Sequence, residues 1–228
     1  MGVCCNSDMR VNGERFIREL LQSEALILRE KDYMDLLNDI VSKRVEQEIP
    51  KSHVEEYIIP DVYKPQKSTE NTTYLQTIFS TILDDLNEKN NMYVVLLYFY
   101  PFIKHDKEKT YENFFHCLRF ITQSLVNELK IEDLYYWLVK YISFCTKEIT
   151  NAVRSKLPPS DEISISLAEL NKTNFTNNNI MKFVNRLLEE MTEGNNVDLI
   201  TIDMFKRLFN KYDLSNIEKI RDYLLFYN

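Results

Sequence analysis

The chain has 228 residues, 44% of them hydrophobic, 12% aromatic and 28% charged, enough apolar surface for one large or two small globular domains and outside the range of disordered chains. With 3 Gly and 6 Pro, turn-formers are too scarce for a many-stranded sandwich or barrel, so an all-α multi-helix bundle is expected. The net charge of −7, with no compensating run of Lys and Arg interleaved with aromatics, argues against nucleic acid as a partner.

The cysteines are Cys4, Cys5, Cys117 and Cys145. Two are adjacent near the start and two fall inside apolar helical runs, so neither a disulfide framework nor a zinc spacing is present and a reducing, intracellular setting is expected. The first residues lack the apolar region of a secretory signal, and the longest apolar run, 93–103, is far short of a membrane span. The sequons at Asn71, Asn171 and Asn174 then read as products of an Asn-rich composition.

Met1-Gly2-Val3-Cys4-Cys5-Asn6-Ser7 resembles the N-terminal signal of dually acylated proteins. The resemblance implies removal of Met1, myristoylation of Gly2 and palmitoylation of Cys4 and Cys5. The strict pattern has Ser or Thr where Asn6 stands; looser forms accept a small neutral residue. One myristoyl chain binds a bilayer only marginally and reversibly. Asp8 and Glu14 offset Arg10, Arg15 and Arg18, so no polybasic patch is at hand and the cysteines have to supply the second anchor. Gly2, Cys4 and Cys5 are therefore the expected lipidation residues of a segment spanning 1–11.

Residues 12–49 read as one or two amphipathic helices, with Phe16, Leu20, Leu21, Leu36, Leu37, Ile40 and Val45 at helical spacing and packed on the body. From 50 to 73 the periodicity stops and Pro50, Pro60 and Pro65 punctuate a polar stretch. Tyr57, Ile58, Ile59, Val62 and Tyr63 are apolar enough to make it an ordered connector. Residues 74–228 form the third unit, a helical domain. Its first helix, 74–86, carries Leu75, Ile78, Phe79, Ile82, Leu83 and Leu86 on one face. The run 92–103 is apolar on all sides; periodicity fits a buried helix or a buried strand, and length favours helix. A helix over 111–129 turns Phe114, Leu118, Ile121 and Leu125 inward. Along 131–157, Ile131, Leu134, Tyr135, Leu138, Tyr141, Ile142, Cys145, Ile149 and Val153 make one long stripe that Pro158-Pro159 stops. Tyr135, Tyr136 and Trp137 read as core or interface residues.

Beyond Pro159, Ser160-Asp161-Glu162-Ile163-Ser164-Ile165-Ser166-Leu167 echoes Asp198-Leu199-Ile200-Thr201-Ile202-Asp203-Met204. With the helical runs on either side, 142–212 resembles a paired EF-hand module of the calmodulin superfamily. There a central Ile or Val of each loop meets its counterpart in a short antiparallel contact. The resemblance implies a pseudo-EF-hand pair in the C-terminal half with Ile163 opposite Ile200. With Ile200 at the eighth loop position, Glu193, Asn195 and Val197 take the early ligand positions, Asp198 stands where Gly belongs and Met204 closes the loop. Val197 and Met204 offer no side-chain oxygen, and the first loop has Pro158 and Leu167 at ligand positions. Calcium needs about six to eight oxygens, so calcium is not an expected ligand, and no other metal or cofactor is expected.

No Gly-rich phosphate loop, nucleophile elbow or HExxH is present. His53, His105 and His116 lie in different segments, and His116 and Cys117 are neighbours on a helix whose side chains diverge. Asp84-Asp85 and Glu189-Glu190 read as solvated helix faces. No catalytic residue is expected. The sequence thus predicts a non-catalytic, membrane-anchored adaptor that binds a protein partner, an amphipathic helix, through a calcium-independent helical module. The alternatives are a structural subunit of a ciliary or cortical cytoskeletal assembly and a calcium sensor.

Overall fold

A computed structural model describes residues 5–24, 31–41, 48–61, 64, 73–106, 108–124 and 127–226. Among these the regular structure is helical apart from four three-residue strands. The order is α1 (Cys5–Glu24), α2 (Tyr33–Val41), β1 (Glu48–Pro50), α3 (Lys51–His53) with a π turn (Val54–Ile58), α4 (Tyr74–Asp85), β2 (Lys89–Asn91), α5 (Met92–Phe99) with a 3-10 turn (Tyr100–Phe102), and α6 (Thr110–Ile121). There follow β3 (Glu128–Lys130), α7 (Ile131–Ser143) with a π turn (Phe144–Glu148), α8 (Ile149–Arg154), α9 (Glu162–Thr173), α10 (Asn177–Thr192), β4 (Leu199–Thr201), α11 (Ile202–Lys211) and α12 (Ile217–Phe226). The expected all-α multi-helix architecture is what the molecule adopts.

Helix starts follow from local polar chemistry. Thr73 and Gln76 form a reciprocal capping box at α4, while Asn91, Thr176 and Thr201 accept from the first-turn amides of α5, α10 and α11. Each cap satisfies backbone donors that the helix cannot. At the end of α10, Glu193 and Gly194 turn the chain with φ of 53° and 72°, a left-handed pair that closes the helix.

Four times a three-residue strand follows one helix in chain order and runs straight into the next: α2-β1-α3, α4-β2-α5, α6-β3-α7 and α10-β4-α11. The strands join these units in pairs. β1 lies antiparallel to β2 with Ile49 opposite Asn90, and β3 antiparallel to β4 with Leu129 opposite Ile200. Beyond the strands, Ile131 N–H donates to the Asp198 carbonyl and Ile202 N–H to that of Asn127.

The pairing expected for Ile200 is therefore wrong in its partner. Ile163 sits in α9, where the Asp161 carboxylate accepts from the Ile163 and Ser164 amides. That cap, with Leu167 and Leu170 buried on the same helix, overrides the β preference of Ile-Ser-Ile. The helix expected over 111–129 ends at Ile121, and Leu129 supplies the strand instead. Pro50 closes β1 and leads into α3, with Ile58 and Ile59 buried. Val45, Val62, Tyr63, Pro65, Asn71 and Leu125 lie outside the described residues. The long stripe expected over 131–157 is one continuous helical run through α7, the π turn and α8 that ends at Arg154, and the apolar run expected over 92–103 is helical as far as Phe102.

A single apolar core runs through both pairs of units. Phe114 packs on Tyr100, Tyr141 and Phe205 at ring-centre distances of 5.1, 4.9 and 5.9 Å, and Phe79 stacks on Phe99 at 5.7 Å. Such pairs contribute about 0.5–1.5 kcal/mol each beyond the area they bury. Helix α1 is seated on this body. Gly13 N–H donates to Ser166 Oγ at 3.1 Å, and a Cβ there would stand 2.5 Å from that oxygen, so α1 and α9 approach closely only because the residue is glycine.

A candidate docking groove

Helix α7 turns Leu134, Leu138, Tyr141 and Ile142 into the core. Its opposite flank presents Tyr135, Tyr136, Val139, Lys140 and Ser143 to a cavity of about 660 Å³. Thr81, Asp84 and Asp85 of α4 line one side, Asn177 and Met181 of α10 another, and Tyr98 and Phe144 meet edge to face at 5.3 Å among the lining residues. The groove thus lies between helices of the first pair of units (α4, α5) and of the second (α7, α10). Its volume falls within the about 300–1,000 Å³ typical of ligand sites.

Two large side chains at the groove are exposed, Tyr136 at 58% and Met181 at 43%. Lys140 Nζ stands 3.1 Å from Asp85 Oδ2 and 5.6 and 5.5 Å from the ring centres of Tyr98 and Trp137. Its charge is thereby answered by one carboxylate and two aromatic faces. Asp84 has Lys51 at 3.9 Å. Tyr98 is buried, and its hydroxyl has no hydrogen-bond partner among the described residues.

Of the expected lipidation residues, Gly2 and Cys4 lie outside the described residues, and Cys5 is the first residue of α1. The loop before β4 holds its polar groups in other contacts. The Glu193 carboxylate pairs with Arg207, and the Asn195 amide donates to the Thr192 carbonyl. Val197 and Met204 are half-buried against the core. Among the described residues no group of three or more His, Cys, Asp or Glu could hold a metal ion.

The titratable groups do not converge. His105 donates from Nε2 to the Tyr100 carbonyl at 2.9 Å; burial pushes its pKa down to about 4 against the opposing pull of that bond and of Asp213. His116 is lowered by burial and then by Arg119, and His53 is buried beside the Tyr57 ring. Burial raises the Cys117 and Cys145 thiols to about 12. Glu190 fastens α10 to α11: burial alone would raise its pKa, but bonds from Lys211, Tyr212 and Arg186 outweigh it and hold the carboxyl below its usual value.

Sequence reasoning did not find the groove. Tyr98 read as one residue of a uniformly buried run, and Asp84-Asp85 read as solvent-facing. The usable signal was Tyr135, Tyr136 and Val139, large side chains lying off the Leu134, Leu138, Tyr141 stripe of the same helix. No described helix is long and apolar enough to cross a membrane. Comparison of the chain with family models, curated proteins and solved structures gives no match.

Proposed function

We propose that the protein is a non-catalytic adaptor, attached to the cytoplasmic face of a membrane through acyl chains on Gly2, Cys4 and Cys5, whose EF-hand-like helical body binds a protein partner without calcium. The observation that carries the adaptor reading is the groove between α4, α5, α7 and α10, apolar within and bearing the exposed Tyr136 and Met181. An exposed apolar cleft of this kind is how helical proteins accept an amphipathic segment.

The EF-hand-like reading is supported by the four helix-strand-helix units joined in two antiparallel pairs. Calcium independence is supported by Glu193 being engaged by Arg207 and by the apolar Val197 and Met204 beside it. Anchorage rests on the sequence Gly2 to Cys5 and the two-chain requirement for stable attachment.

Fractionation of cells carrying tagged variants tests both parts. The wild-type chain is expected in the membrane fraction with its partner. Gly2→Ala is expected to release chain and partner together. Tyr136→Ser with Met181→Ser is expected to leave the chain on the membrane and release the partner alone. A wild-type chain found in the soluble fraction, or a partner retained by the groove variant, contradicts the proposal.

A further inference from the structure

The groove carries more than its shape, because its charge is one-sided. Asp84 and Asp85 on α4 and Glu148 in the π turn line it, against the ammonium of Lys140, while the Lys147 ammonium is engaged at the margin by Asn177 Oδ1 at 3.2 Å. Lys140 is already held at 3.1 Å by Asp85, with its nitrogen over the Tyr98 and Trp137 rings. The Asp84 side chain is 80% exposed, and among the described residues its ion-pair partner is the more distant Lys51 at 3.9 Å. The groove is therefore apolar among Tyr98, Val139 and Phe144 and net negative along its flank, in a chain whose net charge is −7.

We infer that the groove takes a cationic amphipathic helix of a partner protein, its apolar face against Tyr98, Val139, Phe144 and Met181 and its Lys or Arg residues along Asp84, Asp85 and Glu148. This rests on the adaptor reading above and adds the chemistry of the partner. Complementary charge selects partners and speeds their encounter, while the apolar contact holds them. A strand is a poor occupant. The lining residues come from helices and a helical turn and none from a strand, so the groove offers side chains and not a strand edge for an extended peptide to join.

Two synthetic peptides of about 18 residues, about five helical turns, test the inference. One carries Leu on one face and Lys on the flanks with Ala elsewhere; its twin has Glu for every Lys. Titrated against the full chain and followed by fluorescence anisotropy, the Lys peptide is expected to bind about tenfold or more tighter than the Glu twin, with the gap narrowing as salt rises. Asp84→Asn, Asp85→Asn and Glu148→Gln together are expected to bring the two peptides within about twofold of each other. Tyr136→Ser with Met181→Ser, which leaves charge unchanged, is expected to weaken the Lys peptide about tenfold, and unchanged melting temperatures certify the variants. Equal binding of the two peptides, or preference for the Glu twin, overturns the cationic partner and leaves the groove standing. Binding of neither, or binding indifferent to Tyr136→Ser and Met181→Ser, overturns the groove as well. A dimer in sedimentation velocity that the same variant disperses assigns the groove to a second copy and overturns the inference.

Discussion

Glu14 and Arg221 stand 207 residues apart in the chain and meet in a two-pronged ion pair, Nε to Oε1 at 2.8 Å and Nη2 to Oε2 at 2.7 Å, with the arginine fully buried. The guanidinium also donates to the Thr146 carbonyl at 2.9 Å and to Thr150 Oγ1 at 3.0 Å, and lies over the Phe175 ring. Thr146 belongs to the π turn of the long α7-α8 rod, where the widened helical turn disturbs the regular carbonyl ladder. One arginine thus satisfies that turn and pins the first helix to the last.

Because both charges are out of water, removing one strands the other. Arg221→Met is expected to destabilise the fold by about 3–5 kcal/mol, whereas Glu14→Leu combined with Arg221→Met is expected to lose less than the single change. Urea denaturation with equal slopes measures both. A single variant within about 0.5 kcal/mol of wild type contradicts the clasp.

The pairing of Leu129 with Ile200, both fully buried, gives a second expectation. Leu129→Ala and Ile200→Ala are each expected to cost about 2–5 kcal/mol, with a coupling above about 0.5 kcal/mol between them. Ile163→Ala and Ile200→Ala are expected to add, because Ile163 lies in α9. Coupling between Ile163 and Ile200 would restore the partner that the sequence suggested.

His105 gives a pH dependence. Its ordinary pKa of 6.5 is lowered to about 4 in the folded chain, chiefly by burial. Between those values the unfolded chain takes up the proton and the folded chain does not. Stability from this residue is therefore full above about 6.5 and is lost as pH falls towards 4. His105→Gln, whose amide can still donate to the Tyr100 carbonyl, is expected to flatten the stability profile in that window. A slope unchanged by the substitution contradicts the assignment.

Cys117 and Cys145 are buried, and burial raises their thiols to about 12. Neither presents a thiolate near neutral pH. Iodoacetamide is expected to leave both untouched in the native protein and to label both in denaturant, as peptide mapping reads directly.

Millimolar calcium is expected to leave the melting temperature where a chelator leaves it, since Arg207 already engages Glu193 and Met204 closes the loop without an oxygen. A site that bound at a hundredth of the added concentration would stabilise by about 2.7 kcal/mol, a rise that thermal denaturation would register.

Much of the helical order was legible in residue pattern. The stripe from Ile131 to Val153 and the apolar faces of α4 and α10 specify helices whatever surrounds them. The strands were legible only in part. Ile200 carried a signal because it is β-branched and Thr201 and Ile202 follow it, whereas Leu129 and Asn90, which pair with Ile200 and Ile49, carry no β preference and are placed by the tertiary arrangement. Ile163-Ser164-Ile165 carried a false one, since a preceding Asp cap outweighs a two-residue propensity. Arg221 and Glu14 were invisible as a pair, each being an ordinary charged position on its own helix. The groove was invisible for the same reason: its lining comes from four helices and a π turn, and only the tertiary arrangement brings Asp84, Tyr98, Tyr136 and Met181 to one groove.

Intact mass spectrometry of the protein isolated from its own cells reads the central claim, anchorage by Gly2, Cys4 and Cys5, in one spectrum. The predicted species lacks Met1, carries a myristoyl group that survives hydroxylamine and carries at least one further acyl group that hydroxylamine removes. A chain that retains Met1, or that begins at an unmodified Gly2 with both cysteines free, contradicts it.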